Sequence, residues 1–127
     1  MGQTTQPHKP NSDPTHALTS LSLEEIVQLT NKAGVEYTEA KQQADRLELL
    51  KPTQKALAMD RADDGEISEA RIKRKAEIDP EYVAYLEQLA AAKARADRQR
   101  IRYDSFKNLF DARRSTLSYK KAEMKLF

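Results

Sequence analysis

The sequence has no cysteine and no tryptophan, and it holds only three glycines, five prolines and three phenylalanines. Without cysteine there is no disulfide, no thiolate nucleophile and no zinc–sulfur site, which fits a reducing compartment. No stretch approaches the roughly 18 apolar residues of a membrane span, and no apolar signal-peptide core opens the chain. The expected setting is therefore cytoplasmic, with no membrane partner. Histidine is confined to His8 and His16, within a polar stretch rich in Pro and Thr. The body has no Gly-rich phosphate loop, no Ser in a nucleophile elbow and no carboxylate pair held in a pocket. These absences exclude the common catalytic constellations, and we expect no enzyme activity, cofactor or metal.

Bulky core material is also scarce. Alanine supplies 17 of the 49 hydrophobic residues, so a thick core is replaced by thin helix-on-helix packing in which Ala lets backbones approach closely. Such a chain is expected to complete its core by oligomerising. Ala, Glu, Lys, Arg, Leu and Gln dominate, and these are strong helix formers. The fold class is all-α: an elongated helical hairpin or bundle with a long C-terminal helix. Net charge is only +2, but it is unevenly placed. Residues 80–127 carry an excess of +5, with 11 basic and 6 acidic side chains.

Residues 1–19 lack periodicity and read as a disordered polar tail. Residues 20–127 read as one helical domain. Ser22-x-x-Glu25 is a capping box that starts a helix over about 22–33, and Gly34 reads as its stop. A second helix is predicted over 35–50, with Tyr37, Ala40, Ala44 and Leu47 as a narrow stripe. Pro52 should interrupt it, because proline has no amide donor and pushes Lys51 toward extended geometry. A third helix then runs from Pro52, as its first residue, to about 61.

Residues 60–66 form an acidic turn with an EF-hand flavour. Counting from Asp60, however, Ala62 stands at position 3 and Arg71 at position 12, where oxygen ligands are required. A solvated turn is the better reading. Ser68 opens a helix over 68–78. Asp79-Pro80 is the strongest boundary in the chain, an N-cap followed by proline at the first helical position.

The long helix, about 80–124, repeats every seven residues. Tyr82, Leu89, Ala96, Tyr103, Phe110, Leu117 and Met124 form one row, and Phe106 lies in the flanking row. Such a heptad marks lengthwise packing on another helix. Tyr82, Leu89, Ala96, Tyr103, Phe106, Phe110 and Leu117 are the expected packing or oligomerisation residues. The row following Tyr85, Ala92, Gln99 and Phe106 ends in Arg113 and Lys120, so the seam should be dry first, mixed near Gln99 and open at the end. Lys93, Arg100, Lys107, Arg114 and Lys121 make a basic stripe, and Asp97, Asp104 and Asp111 largely answer it as i,i+3 and i,i+4 pairs. Arg95, Arg98 and Arg102 have no obvious carboxylate of their own. Arg113, Arg114, Lys120, Lys121 and Lys125 crowd the C-terminal end. These eight cations are the candidates for contact with an anionic strand.

The order of elements, together with Asp79-Pro80-Glu81-Tyr82, Phe110-Asp111-Ala112-Arg113-Arg114-Ser115 and Lys121-Ala122-Glu123-Met124-Lys125-Leu126, resembles small phage proteins of the UvsY-like recombination-mediator family over roughly residues 35–126. The resemblance implies a non-enzymatic accessory factor in the host cytoplasm. Such a factor binds single-stranded DNA, oligomerises, and helps load a recombinase onto strands covered by single-strand-binding protein. Arg113, Arg114, Lys120 and Lys121 are the residues it carries over. The rival expectation is a coiled coil that binds protein, in virion structure, assembly or host inhibition, whose Tyr103–Phe110 cluster is a protein contact.

Overall fold

A computed structural model describes residues 20–126. It contains three helices, α1 (Leu23–Ala62), α2 (Glu69–Glu77) and α3 (Pro80–Leu126), and among the described residues there is no strand. At about 1.5 Å per residue, the 40 residues of α1 and 47 of α3 span about 60 and 70 Å. The two lie antiparallel as a long hairpin, and α2 packs at its closed end.

The three separate helices expected over 22–61 are one helix. Gly34 and Pro52 both lie inside α1, and Lys51 is helical rather than extended. The reason is tertiary. Ile26, Ala33, Ala40, Ala44, Leu47 and Ala58 are all buried, and with the half-buried Thr30, Tyr37, Lys51 and Gln54 they keep a three–four rhythm straight through both breakers. Packing against α3 along that seam offsets a propensity cost of about 1 kcal/mol for Gly and about 3 for Pro. Gly34 is not a stop but a seat. A Cβ there would lie 3.1 Å from Cε1 of Tyr103, so glycine lets the tyrosine ring rest on the backbone of α1.

The ends of the helices follow local chemistry. The Ser22 hydroxyl oxygen accepts a hydrogen bond from the amide of Glu25 at 3.1 Å, and the hydroxyl donates one to the Glu25 carboxylate. Ser68 accepts from the amide of Arg71 at 3.3 Å. The Asp79 carboxylate accepts from the amide of Tyr82 at 3.0 Å and starts α3. In the acidic turn, Asp63 accepts from the amide of Gly65, and Asp64 from those of Glu66 and Ile67. Gly65 has φ of +82°, which glycine adopts without a Cβ penalty. These amides hold the Asp64 carboxyl below its ordinary range, that of Glu66 most of all.

The core is a chain of small clusters rather than one mass. At the closed end Ala58, Ala76 and Tyr82 meet, with Met59 and Leu86 against them. Next come Leu47, Tyr85 and Leu89, then Ala40, Ala44 and Ala96 with Ala92. Each large buried side chain contributes roughly 1.5–3 kcal/mol relative to exposure. The Tyr85 hydroxyl donates to the backbone carbonyl of Leu47, five residues before Pro52, in the turn that proline disturbs.

Candidate nucleic-acid interface

Cross-hairpin contacts fix the register. Lys93 pairs with Glu48 at 2.8 Å and Arg102 with Glu36 at 3.2 Å. Tyr103 stacks on Tyr37 with ring centroids 6.2 Å apart. Followed outward at that register, the first residue of α1 lies opposite the neighbourhood of Ser115. Beyond it α3 continues alone among the described residues, and every residue from Arg114 to Leu126 is exposed. This overhang is the end on which the carried-over cations sit.

The row of seam residues divides accordingly. Tyr82, Leu89 and Ala96 are buried, and Tyr103, Phe106 and Phe110 are half-buried. Leu117 does not join them: it is 52% exposed, and Met124 is 79% exposed. Both stand past the end of α1, so among the described residues Leu117 packs against no other helix. Gln99 occupies the middle of the seam, and its side-chain oxygen is buried without a hydrogen-bond partner.

The candidate cations fall into two groups. Arg102 is committed to the fold. It pairs with Glu36 and lies 5.8 Å from the Phe106 ring centroid, which corrects the expectation that it lacks a carboxylate. The ladder keeps two of its expected i,i+3 rungs and loses its i,i+4 ones. Arg100–Asp97 and Lys107–Asp104 pair at 3.8 and 3.6 Å as i,i+3 contacts. Lys93 turns to Glu48 on α1 instead of Asp97, and its ammonium group, by hydrogen bonding, lowers the Glu48 carboxyl pKa. Lys107 also sits 4.7 Å from the Tyr103 ring centroid. With Tyr37 against its ring as well, Tyr103 is not an open stacking platform.

Arg113 is half-buried and engaged. Arg114, Lys120, Lys121 and Lys125 are exposed, and none forms an ion pair within the described structure. By heptad phase Arg113 and Lys120 lie on one side of the Leu117–Met124 row, and Arg114 and Lys121 on the other. The overhang thus presents a short apolar row flanked by cations, with Glu123 as its one carboxylate. Arg95 and Arg98 are exposed and unpaired as well, but they stand on the body of the hairpin.

Sequence reasoning missed the clasp at the closed end. Arg61 pairs with Asp79 at 2.5 Å and with Glu81 at 3.2 Å. The guanidinium of Arg61, followed by the Tyr82 and Glu81 amides, holds the Asp79 carboxyl below its ordinary range, and burial opposes this. The only signal was that Arg61 extends the rhythm of α1 by one heptad from Gln54. No group of acidic or imidazole side chains among the described residues is arranged to hold a metal. No described helix is long and apolar enough to cross a membrane. Compared with protein-family models, curated proteins and solved structures, the chain matches none.

Proposed function

We propose that this protein is a non-enzymatic accessory factor that binds single-stranded DNA through the overhanging end of α3, in the manner of a phage-type recombination or replication mediator that aids recombinase loading. One observation carries the reading. On the body of α3, Lys93, Arg100, Arg102 and Lys107 are answered by Glu48, Asp97, Glu36 and Asp104 and only Arg95 and Arg98 stand unpaired, whereas Arg114, Lys120, Lys121 and Lys125 crowd the overhang with no carboxylate partner. Cations that the fold does not use are free to replace the counterions of a polyphosphate. The test is binding to a labelled single strand across a salt series. Four phosphate contacts predict a log–log slope of about −3 for a single strand, and Lys120→Ala with Lys121→Ala should reduce it by about 1.4. Binding that is absent at low salt, or a slope unmoved by those changes, overturns the assignment.

A second reading draws on a different feature of the same overhang. Leu117 and Met124 continue the row that packs on α1, yet stay exposed. That favours a protein-partner coiled coil whose target supplies the missing helix. It predicts that Leu117→Asp abolishes capture of the partner and leaves strand affinity unchanged.

A further inference from the structure

One face of α1 carries no charge over about two and a half helical turns, in a chain where 33% of residues are charged. On α1 it is made by Leu49, Leu50, Thr53, Ala56 and Leu57, all exposed. Leu49 and Ala56, like Leu50 and Leu57, are seven residues apart, and Thr53 lies between them, so the five share one side of the helix. Leu49, Leu50 and Leu57 are 78%, 38% and 47% exposed. Helix α2 leaves them open. It packs through Ala76 onto Ala58 and Tyr82, and the groove it borders is lined by Lys51, Pro52 and Lys55 on the other side of α1.

The neighbouring strip of α3 extends the same face. The Glu36–Arg102 pair marks one edge of the hairpin. Counting sevens from Glu36 leads to Leu50 and Leu57, and from Arg102 back to Arg95 and Gln88. On the Arg102 side of α3, Ala84, Gln88 and Ala91 are exposed and uncharged, with Arg95 next along that row and Glu87 on the adjoining one. The face has charged ends of opposite sign. Arg46, Thr53 and Asp60 form one seven-residue row, with the cation toward the open end and the carboxylate toward the turn. Neither Arg46 nor Asp60 forms an ion pair within the described structure.

We infer that this face binds a second copy of the chain, antiparallel, about a two-fold axis at Thr53. The pattern is self-complementary in that arrangement. Leu49 meets Leu57 of the second copy, Leu50 meets its Ala56, and Arg46 meets its Asp60. A two-fold contact uses the same patch on both copies, and each charge then finds its opposite. A parallel arrangement would set Arg46 against Arg46 and Asp60 against Asp60. The result is a four-helix body with an overhang at each end. This surface is separate from the overhang cations, so the assignment stands or falls independently of strand binding.

Sedimentation equilibrium of the full chain over a concentration series tests it. The expected species is a dimer of the 14.5 kDa chain. Leu50→Glu with Leu57→Glu should raise the dissociation constant at least about 100-fold while helix content by circular dichroism is retained. Arg46→Asp and Asp60→Arg should each weaken the dimer about tenfold, and the two together in one chain should restore it. Because the chain has no native cysteine, Thr53→Cys should be joined to itself by a short bismaleimide, and Lys55→Cys should not. A monomer at every concentration, a dimer indifferent to the leucine changes, or cross-linking that favours Lys55→Cys overturns it.

Discussion

Replacing Pro52 by Ala should stabilise this protein. Pro52 lies in the interior of α1, 29 residues after its first residue and 10 before its last. It cannot donate to the carbonyl of Glu48, and its ring crowds that carbonyl. In a helix interior Pro is about 3 kcal/mol less favourable than Ala. Proline also restricts the unfolded chain, and losing that restriction works against the variant by about 0.4–1 kcal/mol. The net gain is about 2 kcal/mol, which for a body of this size raises the thermal midpoint by roughly 10 °C. The measurement is thermal and urea unfolding followed by circular dichroism, at one protein concentration. The Tyr85 hydroxyl adds a second readout, because it bonds the Leu47 carbonyl in the disturbed turn. Tyr85→Phe should lower the midpoint, and by less in the Pro52→Ala background, where the turn regains its own bonds. An unchanged midpoint would refute the reasoning. Proline is neutral or favoured at the first position of a helix, so no shift means that a new helix starts at Pro52.

Other perturbations probe other parts of the hairpin. Gln99→Leu should gain about 1 kcal/mol in urea unfolding, since it removes a buried oxygen that lacks a partner; a loss as large as that of Gln99→Ala would show that the amide is satisfied. The lowered Asp79 carboxyl makes stability pH-dependent: the contribution is complete above the ordinary carboxylate value of 3.8 and is lost as pH falls through the depressed one. Asp79→Asn should flatten that acid limb of midpoint against pH and lower the plateau by several degrees. Ending the chain after Thr116 should leave the thermal midpoint within about 2 °C, because residues 117–126 are exposed, yet it should abolish strand binding.

How far the sequence revealed this fold depends on the helix. The Asp79-Pro80 start of α3 and its heptad row were legible because Tyr, Leu and Phe mark the seam in side chains large enough to read. In α1 the same seam is written in Ala33, Ala40, Ala44 and Ala58, residues equally at home on a surface. Gly34 and Pro52 therefore looked like punctuation. What overrode them is long-range: the Tyr103 ring against Gly34 and the Tyr85 hydroxyl at Leu47, contacts across 69 and 38 residues. The candidate cations show the same division. Charge spacing along α3 suggested its Asp partners, but Glu36 and Glu48 belong to another helix, and only the antiparallel register brings them to Arg102 and Lys93. The overhang cations needed no register, since no described residue of α1 faces them.

The clusters that tie α1 to α3 are ordered by how much chain they enclose. The Arg61–Asp79 clasp spans 18 residues, the Tyr85–Leu47 bond 38 and the Arg102–Glu36 pair 66. Made alone, the outermost would cost about 1 kcal/mol more in loop entropy than the innermost. The hairpin should therefore close from the turn like a zipper and fray in the opposite sense. Amide exchange should quicken steadily from Tyr82 toward Phe110. The cationic end is held at the loose end of that gradient, where α1 and α3 part most readily, while the turn remains shut.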